Sequence, residues 1–194
     1  MKQEVIAQIQ ASIAVKEAVL GESKIIAQIE ELAQKCLYSL RSGGKVIFAG
    51  NGGSFADAQH LSAEFTSRFL FDRAPLASIA LGTNNSAISA IGNDYGYEQV
   101  FTRELIAIAK PEDLFIPIST SGNSANILAA VTHARLQGIE TMGLSGLDGG
   151  KLVGMCNCIC VPSSETARIQ ECHILIGHII CGLVEAEYFL GKNV

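Results

Sequence analysis

The segment KVIFAGNGGSFADAQHLSAEF, residues 45–65, passes from a short apolar stretch through a glycine-rich turn into an amphipathic one. Its first six residues suit a buried strand, Gly50-Asn51-Gly52-Gly53-Ser54 a tight turn, and the rest a helix whose first amides no Cβ obstructs. The same pattern repeats down the chain. Short apolar runs recur at LASIAL (76–81), LFIPIS (114–119), ETMGLS (140–145) and CNCICVP (156–162), separated by amphipathic stretches at 54–70, 97–109, 123–137 and 165–190. Strands buried on both faces read as continuous apolar runs, and strands alternating with helices specify a parallel sheet, here of about five strands with helices on both faces. Upstream, Ile25, Ile29, Leu32, Cys36 and Leu40 recur at helical spacing and the run stops at Ser42-Gly43-Gly44. This predicts one or two helices over residues 1–42, packed on the domain or on a neighbouring subunit.

No linker, low-complexity segment or solenoid-length repeat interrupts this order, so residues 1–194 read as a single α/β domain. With 194 residues, 48% hydrophobic and 17% charged, such a domain can bury a large core, and part of the apolar excess is expected at subunit interfaces. The formal charge of −5, with 14 basic residues spread along the chain, leaves no footprint for nucleic acid or an anionic membrane. Polar residues interrupt the first twenty positions, unlike a signal peptide, and no uninterrupted apolar run approaches the roughly 18 residues that span a bilayer. A soluble cytoplasmic protein is therefore expected. In that setting Cys36, Cys156, Cys158, Cys160, Cys172 and Cys181, set among apolar neighbours, are expected as buried free thiols. The alternation of Cys156, Cys158 and Cys160 puts them on one strand face, which suits packing better than tetrahedral zinc.

Ligands of open parallel sheets bind beyond the carboxyl ends of the strands, which directs attention to the loops after residues 50, 81, 119 and 162. Ser119-Thr120-Ser121-Gly122-Asn123-Ser124 crowds hydroxyls onto a helix start, more than capping uses. Together with the unsatisfied amides and dipole of that terminus they suit a phosphate monoester. The loop has no Lys or Arg, no P-loop occurs, and the third glycine of a dinucleotide fingerprint would fall on Phe55, so phosphate capture fits better than phosphoryl transfer.

His60 and Glu64 lie one helical turn apart on one face, where a single metal ion could bridge them. Gln170 and His178 form a second polar pair on the otherwise apolar C-terminal helix, where burial without partners would be costly. Eight residues of regular helix advance about 12 Å. Convergence on one ion therefore needs an irregular helix at Gln170 or a ligand from a neighbouring subunit, and the second is favoured.

Four ordered blocks, AGNGGSFADAQHLSAEFTSRF, AIGNDYGYEQVFTREL, ISTSGNSANILAA and TARIQECHILIGHIICGLVE, resemble the sugar isomerase (SIS) domain family, a flavodoxin-like fold that binds phosphosugars, and within it the phosphoheptose isomerases. The resemblance implies one zinc ion per subunit held by His60, Glu64, Gln170 and His178. It implies substrate contacts at Asn51, Gly52, Gly53, Ser54, Glu64, Asn93, Asp94, Ser119, Thr120, Ser121, Ser124 and Gln170. It also implies a homotetramer with sites at subunit interfaces. The implied reaction converts D-sedoheptulose 7-phosphate to D-glycero-D-manno-heptose 7-phosphate, the first step toward bacterial heptose precursors for lipopolysaccharide or capsule. Moving a carbonyl from C2 to C1 through an enediolate needs a base, an acid and an electrophile, with Glu64 expected to handle the carbon-bound proton, His178 the oxygen-bound one, and zinc to act as Lewis acid.

Two other readings of the scaffold are a non-enzymatic interaction module of the replication-initiator-associating type and an isomerase or sensor for another sugar phosphate. The joint presence of the four candidate ligands speaks against the interaction module. Among the remaining polar residues, Arg168 and Glu171 are expected to orient Gln170, His133 to lie on a helix surface, and His173 to pack a helix; Asn93-Asp94-Tyr95-Gly96 also reads as a local turn.

Overall fold

The strand and helix runs of the sequence become a doubly wound sheet in a computed structural model that describes residues 1–191. The elements are α1 (Lys2–Gly21), α2 (Ser23–Arg41), β1 (Val46–Gly50), α3 (Gly53–Thr66), β2 (Ser78–Ala80), α4 (Asn85–Tyr95), α5 (Val100–Ile108), β3 (Leu114–Ser119), α6 (Ala125–Leu136), β4 (Glu140–Ser145), β5 (Asn157–Cys160) and α7 (Thr166–Leu190). Short 3-10 turns at Tyr97–Gln99 and Leu152–Gly154 precede α5 and β5. All neighbouring strands are parallel, in the order β2-β1-β3-β4-β5. The chain leaves β1 toward β2 on one side and returns to β3 on the other. The crevice of this flavodoxin-like order therefore opens at the carboxyl ends of β1 and β3, where Gly50 pairs with Ile118.

Alternation along each strand divides the core in two. Val46, Phe48, Leu114, Ile116 and Ile118 face Leu32 and Cys36 of α2, Leu61 and Phe65 of α3, and Ile169, Ile176, Ile180 and Val184 of α7. Ile47, Ala49 and Phe115 face Phe101 and Leu105 of α5 and Ile127, Ala130, Val131 and Ala134 of α6. Because both faces are covered, the central strands carry runs of consecutive apolar residues, Val46 to Ala49 and Leu114 to Ile118, instead of an apolar residue at every second position. The cysteine alternation expected from the sequence is realised: Cys158 is buried in the second cluster, Cys156 and Cys160 pack against it, and all six cysteines are free thiols.

The N-terminal segment is two helices, broken at Glu22, whose carboxylate accepts from the Lys24 amide at 3.2 Å. The expected stripe Ile25, Ile29, Leu32, Cys36 and Leu40 of α2 is buried throughout. In α1 only Val19 is buried, while Val5, Ile6, Ile9 and Ile13 are 44 to 57% exposed. Helix α4 differs from the expected turn. Asn84 caps it by accepting from the Ser86 and Ala87 amides, and Gly96 at φ 87° ends it, so Asn93 and Asp94 stand in its last turn. None of its residues is fully buried, and its short apolar face, Ile88 and Ile91, packs only partly covered against the second cluster.

Helix α7 has the length and apolar composition to cross a membrane, yet it lies in the core with His173 and Glu185 fully buried. His173 packs the helix as expected, its Nε2 standing 3.0 Å from the Ser145 carbonyl oxygen, and burial pushes its pKa down to about 4. The folded imidazole thus stays neutral at a pH where the unfolded one, with a pKa of about 6.5, takes up a proton. Unfolding free energy is expected to fall as pH drops from about 6.5 toward 4, by up to about 3 kcal/mol from this group. Urea unfolding at several pH values checks this, and His173→Gln should flatten the slope.

Candidate active site

The loops after β1 and β3 are locked together by side-chain amides. Asn51 Nδ2 donates to Asn126 Oδ1 at 2.8 Å, Asn126 Nδ2 returns a bond to Asn51 Oδ1 at 2.9 Å, and the Tyr97 hydroxyl donates to the same oxygen at 3.2 Å. Neither Asn126 nor Tyr97 was among the expected site residues. Asn126 carried a legible signal, as a polar residue in the buried stripe that Ile127, Ala130, Val131 and Ala134 trace on α6. Between these loops, Ser119 is buried at the end of β3 and its Oγ lies 3.1 Å from Ser124 Oγ. Ser124 is the N-cap of α6 but makes no side-chain capping bond. Ser121 Oγ accepts from the Asn123 amide, and the Thr120 carbonyl accepts from the Gly146 amide. A hydroxyl rim on an uncapped helix terminus can receive an anion through O–H and N–H donors.

At the start of α3, Gly52 takes φ 57° and Ser54 is buried. The α-carbon of Gly53 lies against the side chain of Gln170, so close that a Cβ there would stand 2.4 Å from Gln170 Nε2. Further along α3, His60 and Glu64 meet His178 of α7. The His60 and His178 Nε2 atoms are 2.9 Å apart, and Glu64 Oε1 is 3.2 Å from His60 Nε2. The Phe69 ring stacks on His178 with centroids 5.6 Å apart. Gly177 makes this approach of α3 and α7 feasible, since a Cβ on it would fall 2.4 Å from Leu61 Cδ2. Asp57, one turn before His60, is half-buried with Oδ2 unpartnered, and burial raises its pKa to about 6 against the opposing influence of His60. Its position three residues before His60 was the sequence signal for it.

The donor chemistry of His60, Glu64 and His178 fits a metal ion. Their ligand atoms all lie within 4.8 Å of one another, and the His60 side chain is half exposed. Two neutral imidazoles can share one proton between facing nitrogens, which leaves the carboxylate charge uncompensated. A divalent cation satisfies all these lone pairs, and zinc accepts both ligand types.

Other expected residues stand apart. Helix α7 is α-helical from Thr166 to Leu190, so Gln170 and His178 of one chain are separated by about 12 Å along it. From Gly53 to Glu64 the axis of α3 advances about 16 Å. Asn93 donates to Asp94 at 2.8 Å on the exposed end of α4, beside a shallow depression also lined by Asn85, Ser86 and Ser89. Arg168 pairs with Glu171 and donates to Gln8 at 3.0 Å, while Glu171 lies 3.8 Å from Lys16, so this pair ties α1 to α7 beside Gln170.

An open sheet with a hydroxyl-lined helix terminus at its switch point defines an α/β domain of the kind whose ligands bind beyond the carboxyl ends of its strands. The family model described as SIS domain matches residues 10–146. The phosphoheptose isomerase of Aneurinibacillus thermoaerophilus is 54% identical over 187 residues, covering 96% of this chain and 94% of that one. Phosphoheptose isomerase 2 of Campylobacter jejuni is 52% identical over 183 residues, covering 94% and 90%. The solved phosphoheptose isomerase of Neisseria gonorrhoeae superposes with a TM-score of 0.89 at 39% identity, over 95% of this chain and 98% of that one. The chain belongs to the SIS domain family, and within it to the phosphoheptose isomerases.

Proposed function

We propose that the chain interconverts D-sedoheptulose 7-phosphate and D-glycero-D-manno-heptose 7-phosphate, holding the phosphate in the 119–124 loop and the carbonyl end at His60, Glu64 and His178. The observation that carries this reading is the convergence of two imidazoles and a carboxylate within 4.8 Å, in a chain 54% identical to a phosphoheptose isomerase. Zinc, held by His60, Glu64, His178 and Gln170, supplies a Lewis acid for the sugar carbonyl when bound. Glu64 removes the proton from C1 of the ketose and returns it to C2, passing through an enediolate. His178 carries the proton between the oxygens on those carbons. Ser119, Thr120, Ser121 and Ser124 hold the phosphate oxygens, and Asn51, Gly52, Gly53, Ser54, Asn93, Asp94 and Gln170 contact the rest of the sugar phosphate.

The separation of about 12 Å along α7 supports a site shared between copies, with Gln170 of one chain completing the ligands of another. The half-exposed His60 and the uncovered Val5, Ile6, Ile9 and Ile13 of α1 support the same assembly. We take the chain to act as one SIS domain within a cytoplasmic homotetramer that supplies heptose precursors for lipopolysaccharide or capsule. Sedimentation checks the assembly: an active monomer contradicts a shared site. A coupled assay with sedoheptulose 7-phosphate tests the reaction. Turnover is expected to vanish on chelation and return with zinc. A zinc-loaded enzyme that leaves this substrate unchanged overturns the reading, and turnover indifferent to chelation removes the metal from it.

A further inference from the structure

Arg73 and Glu185 form a buried ion pair outside the ligand cluster, and apart from an Arg73 bond to the neighbouring Ala74 carbonyl at 3.1 Å the bonds they make lead back to it. Their side chains are 3% and 0% exposed, with Arg73 Nε 2.9 Å from Glu185 Oε1. The last carbonyls of a helix have no partner within it. On α3, the helix of His60 and Glu64, Arg73 supplies partners, its Nη2 donating to the Glu64 carbonyl at 2.8 Å and its Nη1 to Phe65 at 2.7 Å and Ser67 at 3.0 Å. Glu185 stands two turns beyond His178 on α7 and accepts from the amides of Phe69 at 2.8 Å and Leu70 at 2.7 Å. The Phe69 ring thereby comes to rest on His178. Burial works against the Glu185 charge, yet the two amides and the guanidinium outweigh it and hold the carboxyl below the ordinary carboxylate range.

We infer that Arg73 and Glu185 are positioning residues that hold the turn bearing Glu64 and the ring of His178 at the separation the metal requires. Removing ordinary packing would loosen the fold as a whole. Removing this pair frees the α3 carboxyl terminus and Phe69 specifically, and so acts on the ligands. The inference rests on the metal reading above.

The test compares zinc affinity, by competition with a chromophoric chelator, with kcat, KM and Tm in the full-length protein. Arg73→Met/Glu185→Leu removes both buried charges together, because a single removal would strand the other. Its zinc affinity is expected to fall about 10- to 100-fold, with kcat falling alongside and KM for the sugar phosphate nearly unchanged. Arg73→Lys keeps the ion pair but loses the forked bonds to Glu64 and Phe65, and should show a smaller loss of the same kind. Lys45→Met/Asp113→Leu removes a partly buried pair, 2.6 Å apart at the amino ends of β1 and β3 and away from the crevice, and should lower Tm without changing zinc affinity. Wild-type zinc affinity and kcat in the folded double variant overturn the inference. Should that variant fail to fold, the same result for Arg73→Lys overturns it, as does an equal loss of affinity in the Lys45/Asp113 control. A wild-type chain that binds no zinc fails at the first arm and overturns the metal reading along with the inference, which distinguishes the two failures.

Discussion

Glu64→Gln is expected to lower kcat by about a hundredfold to ten-thousandfold, the range spanned by loss of a positioned general base. The amide keeps the volume and can still meet His60, whose Nε2 lies 3.2 Å from the present carboxylate, but it cannot accept a proton from carbon. The phosphate cradle lies at the other end of α3, so binding of the sugar phosphate should survive while turnover does not. Because the substitution also weakens a metal ligand, the assay is run at saturating zinc, with substrate affinity measured separately by calorimetry. Near-normal turnover under those conditions would exclude Glu64 as the base.

Gly53→Ala is expected to lower kcat/KM by about a hundredfold, the scale on which a misplacement of about 1 Å acts in a positioned site. The added methyl would stand 2.4 Å from Gln170 Nε2 and 2.8 Å from its carbonyl oxygen, so the amide must swing off the loop. Stability should change little, since the φ of Gly53 is not positive and alanine suits the first turn of α3. A double-mutant cycle with Gln170→Ala isolates the contact: once the amide is absent, the methyl should cost far less. An undiminished penalty in that background would trace the loss to the loop itself.

Much of the fold was legible because its signals are local. The apolar runs at 45–50, 114–119 and 140–145 needed only their own residues to declare buried strands, and Ser42-Gly43-Gly44 closed α2 where the apolar stripe ended. The hydroxyl loop at 119–124 was equally plain, since its residues are contiguous. Helix α4 was hidden because its apolar face is only Ile88 and Ile91, set among Asn, Ser and Gly residues that read as a loop. Tyr97 stayed hidden, and Asn126 showed only as a polar residue in an apolar stripe, because their importance lies in meeting Asn51, 46 and 75 residues away.

Sequence alone determined the parallel α/β architecture, the anion-ready loop and the pairing of His60 with Glu64, all set by contiguous runs of residues or by the spacing of one helical turn. Tertiary structure decided which of the distant polar residues meet. It brought His178 to within 2.9 Å of His60, because α3 and α7 close on each other over Gly177, and it held Gln170 at Gly53 instead. The physical reason is that a straight helix spaces its residues rigidly along one axis, whereas contact between two helices depends on the packing of side chains that no local pattern records.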